Sequence, residues 1–81
     1  MVRVLLFGRL SDLAGWRERT FDPAPERLSA LKTMIRRADE ALADALDGPG
    51  VQAAVNQVLT RGDIALNPGA EVAFLPPMSG G

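Results

Sequence analysis

The sequence predicts an α+β fold, a β-sheet covered on one face by helix. Three observations carry that prediction. Apolar residues alternate with others at both ends of the chain, in Val2, Val4 and Leu6 and again in Val72 and Phe74. Between them Leu28, Leu31, Ile35, Ala38, Leu42 and Leu46 recur every three or four residues, the spacing of one buried helical stripe. Pro and Gly clusters at 22–25, 47–50 and 67–69 separate these segments.

The first strand is the run Met1 to Phe7. Side chains of a strand point to opposite faces in turn, so Arg3 marks its parity as the outer one, and Leu5 and Phe7 share it. Gly8 ends the strand. Ser11 to Gly15 reads as a helical turn with Ser11 as N-cap and Gly15 as terminator. Trp16 to Phe21 is a second strand, charged enough to lie at a sheet edge. Asp22-Pro-Ala-Pro25 precedes the helical stripe, which is one helix or two bent near Asp39, and Asp47-Gly-Pro-Gly50 stops it. Val51, Ala53 and Val55 then alternate with Gln52, Ala54 and Asn56 as a third strand, and a short strand follows at Val58-Leu-Thr60. Asn67-Pro-Gly69 suits a type II turn, with Pro at its second position and Gly supplying φ > 0 at its third. The last strand is Glu71 to Leu75, with Val72 and Phe74 inward and Ala73 and Leu75 on the parity that Glu71 marks as outer. This order, strand, strand, helix, strand, short strand, strand, is that of an α+β sheet with helix on one side.

Composition narrows the function. The 81 residues make one domain, and 47% hydrophobic with 23% charged residues is a globular balance. Cysteine, histidine and tyrosine are all missing. There is therefore no thiolate nucleophile, imidazole base, disulfide or Cys/His metal site. No pair of carboxylates and no serine has the spacing of an active site. A net charge of −1 with scattered arginines, of which only Arg36 and Arg37 adjoin, argues against nucleic acid. No apolar run has the length of a membrane span, and Met1 to Phe7 reads as a strand and not as a secretory signal, so a cytoplasmic protein is expected.

Two features of the sequence remain as candidates for function. The outer strand parities and the short strand would place Leu5, Phe7, Leu59, Ala73 and Leu75 on the uncovered face. If the first and last strands are neighbours these form one apolar patch, a docking site. The other feature is Leu75-Pro-Pro-Met-Ser-Gly-Gly81. Prolines bias the residues before them away from helix and hold φ near an extended value. At about 3.1 Å per residue, the arm from Pro77 to Gly81 would reach on the order of 15 Å. Gly80 and Gly81 carry no side chain and pass where nothing bulkier fits. Ser-Gly-Gly is also what a linker or a frayed end looks like, but here a strand runs straight into Pro76-Pro77 and attaches the arm by a rigid joint.

Read together, Val4-Leu-Leu-Phe-Gly-Arg-Leu-Ser-Asp-Leu-Ala-Gly15, Ala53-Ala-Val-Asn-Gln57 and Glu71-Val-Ala-Phe-Leu-Pro-Pro-Met-Ser-Gly-Gly81 resemble the small subunits of molybdopterin synthase, ubiquitin-like sulfur carriers. Met78, where that family more often has a β-branched residue, and Pro68-Gly-Ala70, in place of a more acidic turn, are the departures. The resemblance implies a β-grasp fold in a domain of residues 1–76, its first and last strands parallel at the centre of a mixed sheet, with a flexible Gly-Gly tail at 77–81. It implies that the Gly81 carboxyl is adenylated by a ubiquitin-activating-type adenylyltransferase that uses ATP, and that a donor such as a persulfide sulfurtransferase then supplies sulfur. The chain itself binds no cofactor. The resulting thiocarboxylate would enter the large subunit of molybdopterin synthase, in a heterotetramer, and give sulfur to cyclic pyranopterin monophosphate. Leu5, Phe7, Leu59 and Leu75 would contact that subunit, which holds the catalytic pocket. A sulfur carrier for thiamine biosynthesis, with the same fold and Gly-Gly, and a ubiquitin-like modifier joined to lysines of target proteins are alternatives.

Overall fold

The structure, a computed structural model, describes residues 1–77. Its elements are β1 (Val2–Leu6), α1 (Arg9–Ala14), β2 (Glu18–Phe21), α2 (Leu28–Ala38), α3 (Glu40–Leu46), β3 (Gln52–Val55), β4 (Val58–Thr60) and β5 (Glu71–Leu75). The five strands form one sheet in the order β2-β1-β5-β3-β4. The first and last strands lie side by side and parallel, with Val4 opposite Val72 and Leu6 opposite Phe74. The other three pairings are antiparallel. This mixed sheet, with helices on one face, is the β-grasp fold that the resemblance implied.

The inward parities are as the alternation predicts. Val2, Val4 and Val72 are fully buried, and Phe74 is nearly so. They pack with Leu31, Ile35, Leu42 and Leu46 from the helices in one core. Each such side chain removed from water contributes roughly 1.5–3 kcal/mol, so this layer dominates the stability of a domain this small.

The helical stretch is two helices, and Asp39 is the reason. Its backbone is extended (φ −157°), its N–H donates to Ile35 O, closing α2, and its carboxylate accepts from Leu42 N at 3.1 Å, capping α3. The bend changes the phase of the stripe. Ala38, expected on the buried face, is exposed at the end of α2, and Ala43 is buried instead. Arg36 pairs with Asp44 at 2.9 Å, and Lys32 with Asp47 at 3.2 Å, across the elbow.

Ser11 is not the N-cap of α1. The helix starts three residues earlier, at Arg9 after Gly8, and the Ser11 hydroxyl donates back to Gly8 O at 2.7 Å inside the first turn. The glycine at the strand end already has the unusual backbone, φ 57° and ψ −133°, that turns the chain into the helix, so no separate cap is needed. Gly15 does terminate α1, in the left-handed conformation. The edge strand begins at Glu18, two residues later than the pattern suggested. Gly69 has φ +86° and Ala70 N donates to Asn67 O at 3.0 Å, as the type II turn requires.

Candidate functional site

Two regions meet where β5 ends: the uncovered face of the sheet and the root of the C-terminal segment. Register places the face residue by residue. Leu5 lies opposite Ala73, Ala73 opposite Ala54, and Ala54 opposite Leu59, so one apolar row crosses β1, β5, β3 and β4. With strands about 4.8 Å apart the row is about 14 Å long. Its middle is flat because Ala73 and Ala54 end at Cβ and are only 9% and 8% exposed, and its ends stand higher. Leu59 is 59% exposed, and Phe7, the next residue of the Leu5 parity, is 46% exposed. Leu75 lies opposite Gln52 and is half-buried. Three of the four predicted contact residues, Leu5, Leu59 and Leu75, thus belong to this one face, and Phe7 lies exposed just past the end of β1. Ala54 belongs to the face as well and was overlooked in the sequence. The signal was available, since Ala54 shares the parity of Gln52 and Asn56.

Charge borders the row at the β2 edge, where Glu18 lies opposite Leu5, and at the N-terminal end of β1. Arg3, one pleat before Leu5, bonds Glu71 on β5 and reaches Glu18 on β2 at 3.9 Å. Arg3 is 48% exposed, so water screens these pairs and limits their contribution to stability, but they make the N-terminal end of β1 polar. The other end, toward Phe7 and Leu75, is apolar and is where the chain leaves the sheet. The β3–β4 hairpin holds the far side of the face. Asn56 and Gln57 both have positive φ (50° and 70°), the two-residue type I′ geometry, and Asn56 Oδ1 accepts from Glu71 N at 3.0 Å.

At the root of the tail, Pro76 is half-buried and Pro77 exposed. Pro76 lies beside Gly8 and Pro77 beside Gly50: a Cβ built on Gly8 would sit 3.1 Å from the Pro76 ring, and one on Gly50 only 2.7 Å from Pro77 Cβ. Both glycines were read from the sequence only as breakers of a strand and of a helix. Pro76 and Pro77 are therefore seated on the domain. Gly80 and Gly81, the predicted reactive end, lie outside the described residues. Among the described residues no cluster of three or more acidic or metal-ligating side chains could hold a metal ion. Among them, too, no helix is long and apolar enough to cross a membrane.

Comparison with known proteins gives a consistent picture. The sequence pattern of the ThiS family matches residues 4–81. The molybdopterin synthase sulfur carrier subunit of Escherichia coli (strain K12) is 35% identical over 81 residues, covering all of both chains. Among solved structures, SAMP1 from Haloferax volcanii superposes with a TM-score of 0.83 at 25% identity, covering 99% of this chain and 98% of that one. A putative molybdopterin converting factor, subunit 1, from Pyrococcus furiosus gives 0.77 at 28% identity, covering 95% and 97%. The small archaeal modifier protein 1 (SAMP1) of Methanosarcina acetivorans gives 0.84 at 22% identity, covering 99% and 95%, a likeness of fold.

Proposed function

The chain belongs to the ThiS family, and on that footing we propose that it is a sulfur carrier, the small subunit of a molybdopterin synthase, bearing sulfur as a thiocarboxylate on Gly81. The observation that carries this reading is the 35% identity, end to end, with a molybdopterin synthase sulfur carrier subunit. The chemistry of the chain supports it. Without cysteine or histidine no side chain offers a sulfur-bearing nucleophile or an imidazole, whereas a terminal carboxyl can carry sulfur once activated. At neutral pH that carboxyl, with an ordinary pKa of about 3.5, is ionised and a poor electrophile. An ATP-using adenylyltransferase therefore converts it to the acyl-adenylate. The outer sulfur of a donor's persulfide attacks the acyl carbon and expels AMP, a thiol then reduces the resulting acyl disulfide to the thiocarboxylate, and the tail delivers that sulfur inside the large subunit to cyclic pyranopterin monophosphate. Two deliveries complete each dithiolene. The open sheet face, apolar at the end where the tail departs, is the surface that docks on the large subunit.

A modifier role is the second reading, favoured by the structural likeness to small archaeal modifier proteins. One pair of measurements separates the two. As a carrier, part of the protein isolated from its own cells is heavier by one oxygen exchanged for one sulfur at Gly81, and that species vanishes when the activating enzyme is deleted. As a modifier, lysine-linked conjugates appear in place of the thiocarboxylate. The direct test is molybdopterin formation from the precursor with purified large subunit and charging system. Adding one residue after Gly81 displaces the reacting carbon and is expected to abolish product while leaving the melting temperature unchanged. A normal yield from that variant, with its extra residue confirmed intact, would refute the carrier reading.

A further inference from the structure

We propose that Gly8 and Gly50 are positioning residues for the tail, two side-chain-free seats that hold Pro76 and Pro77 and so fix the direction in which the chain leaves the domain. The proposal relies on the carrier reading only for what the tail delivers; the seating itself stands on geometry. Gly8 follows β1 and Gly50 precedes β3, the two strands that flank β5. The last residues of the described chain therefore pass between two corners of the domain, one on each side of the strand they extend.

The positive-φ glycines among the described residues divide into two groups that make the argument specific. Gly8, Gly15, Gly50, Gly62 and Gly69 all have positive φ, between 57° and 86°. A backbone reason for glycine exists at each of them. Around Gly15, Gly62 and Gly69, however, a Cβ would meet nothing within 4 Å. At Gly50 it would meet Pro77 Cβ at 2.7 Å, with Pro77 Cα at 3.6 Å behind it, a clash with the stiffest part of a proline that no rotamer change relieves. At Gly8 the contact is with Pro76 Cγ at 3.1 Å, which a change of ring pucker eases. Gly50 is thus the firmer seat and Gly8 the softer one. Two prolines in succession remove φ freedom at 76 and 77, and the seats remove the remaining freedom of the pair to swing as a unit. An arm aimed in this way enters a partner's passage at a smaller ordering cost.

The backbone effect of losing glycine is shared with the controls, so the test compares variants at matched φ. Gly50→Ala (φ +80°) is set against Gly62→Ala (φ +77°) and Gly69→Ala (φ +86°). In wild-type protein, nuclear Overhauser contacts are expected between the Gly50 α-protons and Pro77, and between those of Gly8 and Pro76. Gly50→Ala abolishes the first, and the two control variants keep it. In the sulfur-transfer assay with saturating large subunit, Gly50→Ala lowers the turnover rate about 10–100-fold, the scale of a misplaced reacting group. The controls change it by less than about twofold, as expected where an added Cβ meets nothing within 4 Å. Binding of the large subunit through the sheet face changes far less than turnover, which a general loss of structure would not produce. In a Pro77→Gly background, where the clashing Cβ is gone, Gly50→Ala is no worse than Gly62→Ala. Should Gly50→Ala fail to fold, the wild-type contacts and the Pro77→Gly variant, folded and several-fold slower, decide the matter. Absent proline–glycine contacts in wild type, or equal losses from Gly50→Ala and Gly62→Ala, overturn the proposal. Should the wild-type chain transfer no sulfur at all, the carrier reading falls, and the proton contacts still decide the seating.

Discussion

The two faces of the sheet are built from the same strands and have met opposite fates. On β1 and β5 the inward set, Val4, Leu6, Val72 and Phe74, is 0–3% exposed under the helices. The outward set, Leu5, Ala73 and Leu75 with Phe7 just past β1, is equally apolar, and of it Phe7 is exposed, Leu5 and Leu75 are half-buried and Ala73 is 9% exposed. Composition alone does not distinguish the two sets. What distinguishes them is that each outward set shares its parity with one charged residue, Arg3 on β1 and Glu71 on β5, which meet across the strands. An apolar residue in line with an ion pair is on a face that the domain does not need for its own folding. The inner face supplies stability, and the outer face, on the proposed reading, keeps apolar area open for another molecule.

The sharpest way to test that division is to truncate neighbours in sequence. Phe74→Ala empties a fully packed site and is expected to cost about 3–5 kcal/mol, a large share of the roughly 5–15 kcal/mol that keeps a domain folded. Leu75→Ala, one residue on and on the other face, removes a side chain with solvent already at its edge and should cost under about 1 kcal/mol. Urea unfolding of the two variants measures the difference. Equal losses would mean that both faces belong to the core, and the distinction would fail.

The complementary prediction reverses the ranking. Phe7→Glu and Leu75→Glu leave the isolated fold within about 1 kcal/mol of wild type, since the new charge remains in water. In the complex each forfeits roughly 1.5–3 kcal/mol of apolar burial and adds an unpaired buried charge. Affinity for the large subunit therefore falls by at least about 10–100-fold, measured by calorimetry or gel filtration. Leu59→Glu, at the far end of the row on an edge strand, should lose less. A variant that unfolds alone would show that the strand parity is misassigned.

How far this division was legible in the sequence differs from element to element. Strand parity was readable because a single charged residue labels a whole face, and Arg3 and Glu71 did so without ambiguity. The helix break was visible only as a choice, because nothing in the stripe itself says whether Asp39 continues a helix or caps a new one. The extended backbone at 39 decided it, exposing Ala38 and burying Ala43. Ser11 was misplaced because a serine near a helix start looks like a cap, whereas Gly8 had already made the turn. The seats for Pro76 and Pro77 were beyond sequence reading for a different reason. Gly8 and Gly50 are far from residues 76 and 77 in the chain, and only the pairing of β5 between β1 and β3 brings them there. A tertiary contact of a glycine leaves no local signature.

The finest distinction between the faces is one of pH, and it rests on Asp63. Helix α2 begins after Arg27 with no side-chain cap of its own. The cap comes from the loop before β5: Asp63 Oδ1 accepts from Ser29 N at 2.9 Å, and Oδ2 accepts from the Ser29 hydroxyl at 2.9 Å and from Arg27 Nε at 3.0 Å. These bonds favour the ionised carboxylate and hold its pKa below the usual value, the Ser29 backbone N–H first, then Arg27, then the Ser29 hydroxyl. The sign follows from linkage. With a depressed folded-state pKa, the stabilisation is complete above the unfolded value of about 3.9 and is lost as pH falls through the lower folded value. Asp63→Asn should therefore be slightly less stable than wild type at neutral pH, and the gap should close in acid. The effect is the smallest of the series because the side chain is 43% exposed and water screens it. Urea midpoints of both proteins from pH 7 down to pH 2 measure the gap, and a gap that does not vary with pH would mean the charge contributes nothing. Asp63 fastens the helix-bearing side and touches none of the outer row, so the variant should bind the large subunit as tightly as wild type at every pH where both are folded. If affinity instead tracked the Asp63 titration, the two faces would be coupled, and neither could be altered without the other.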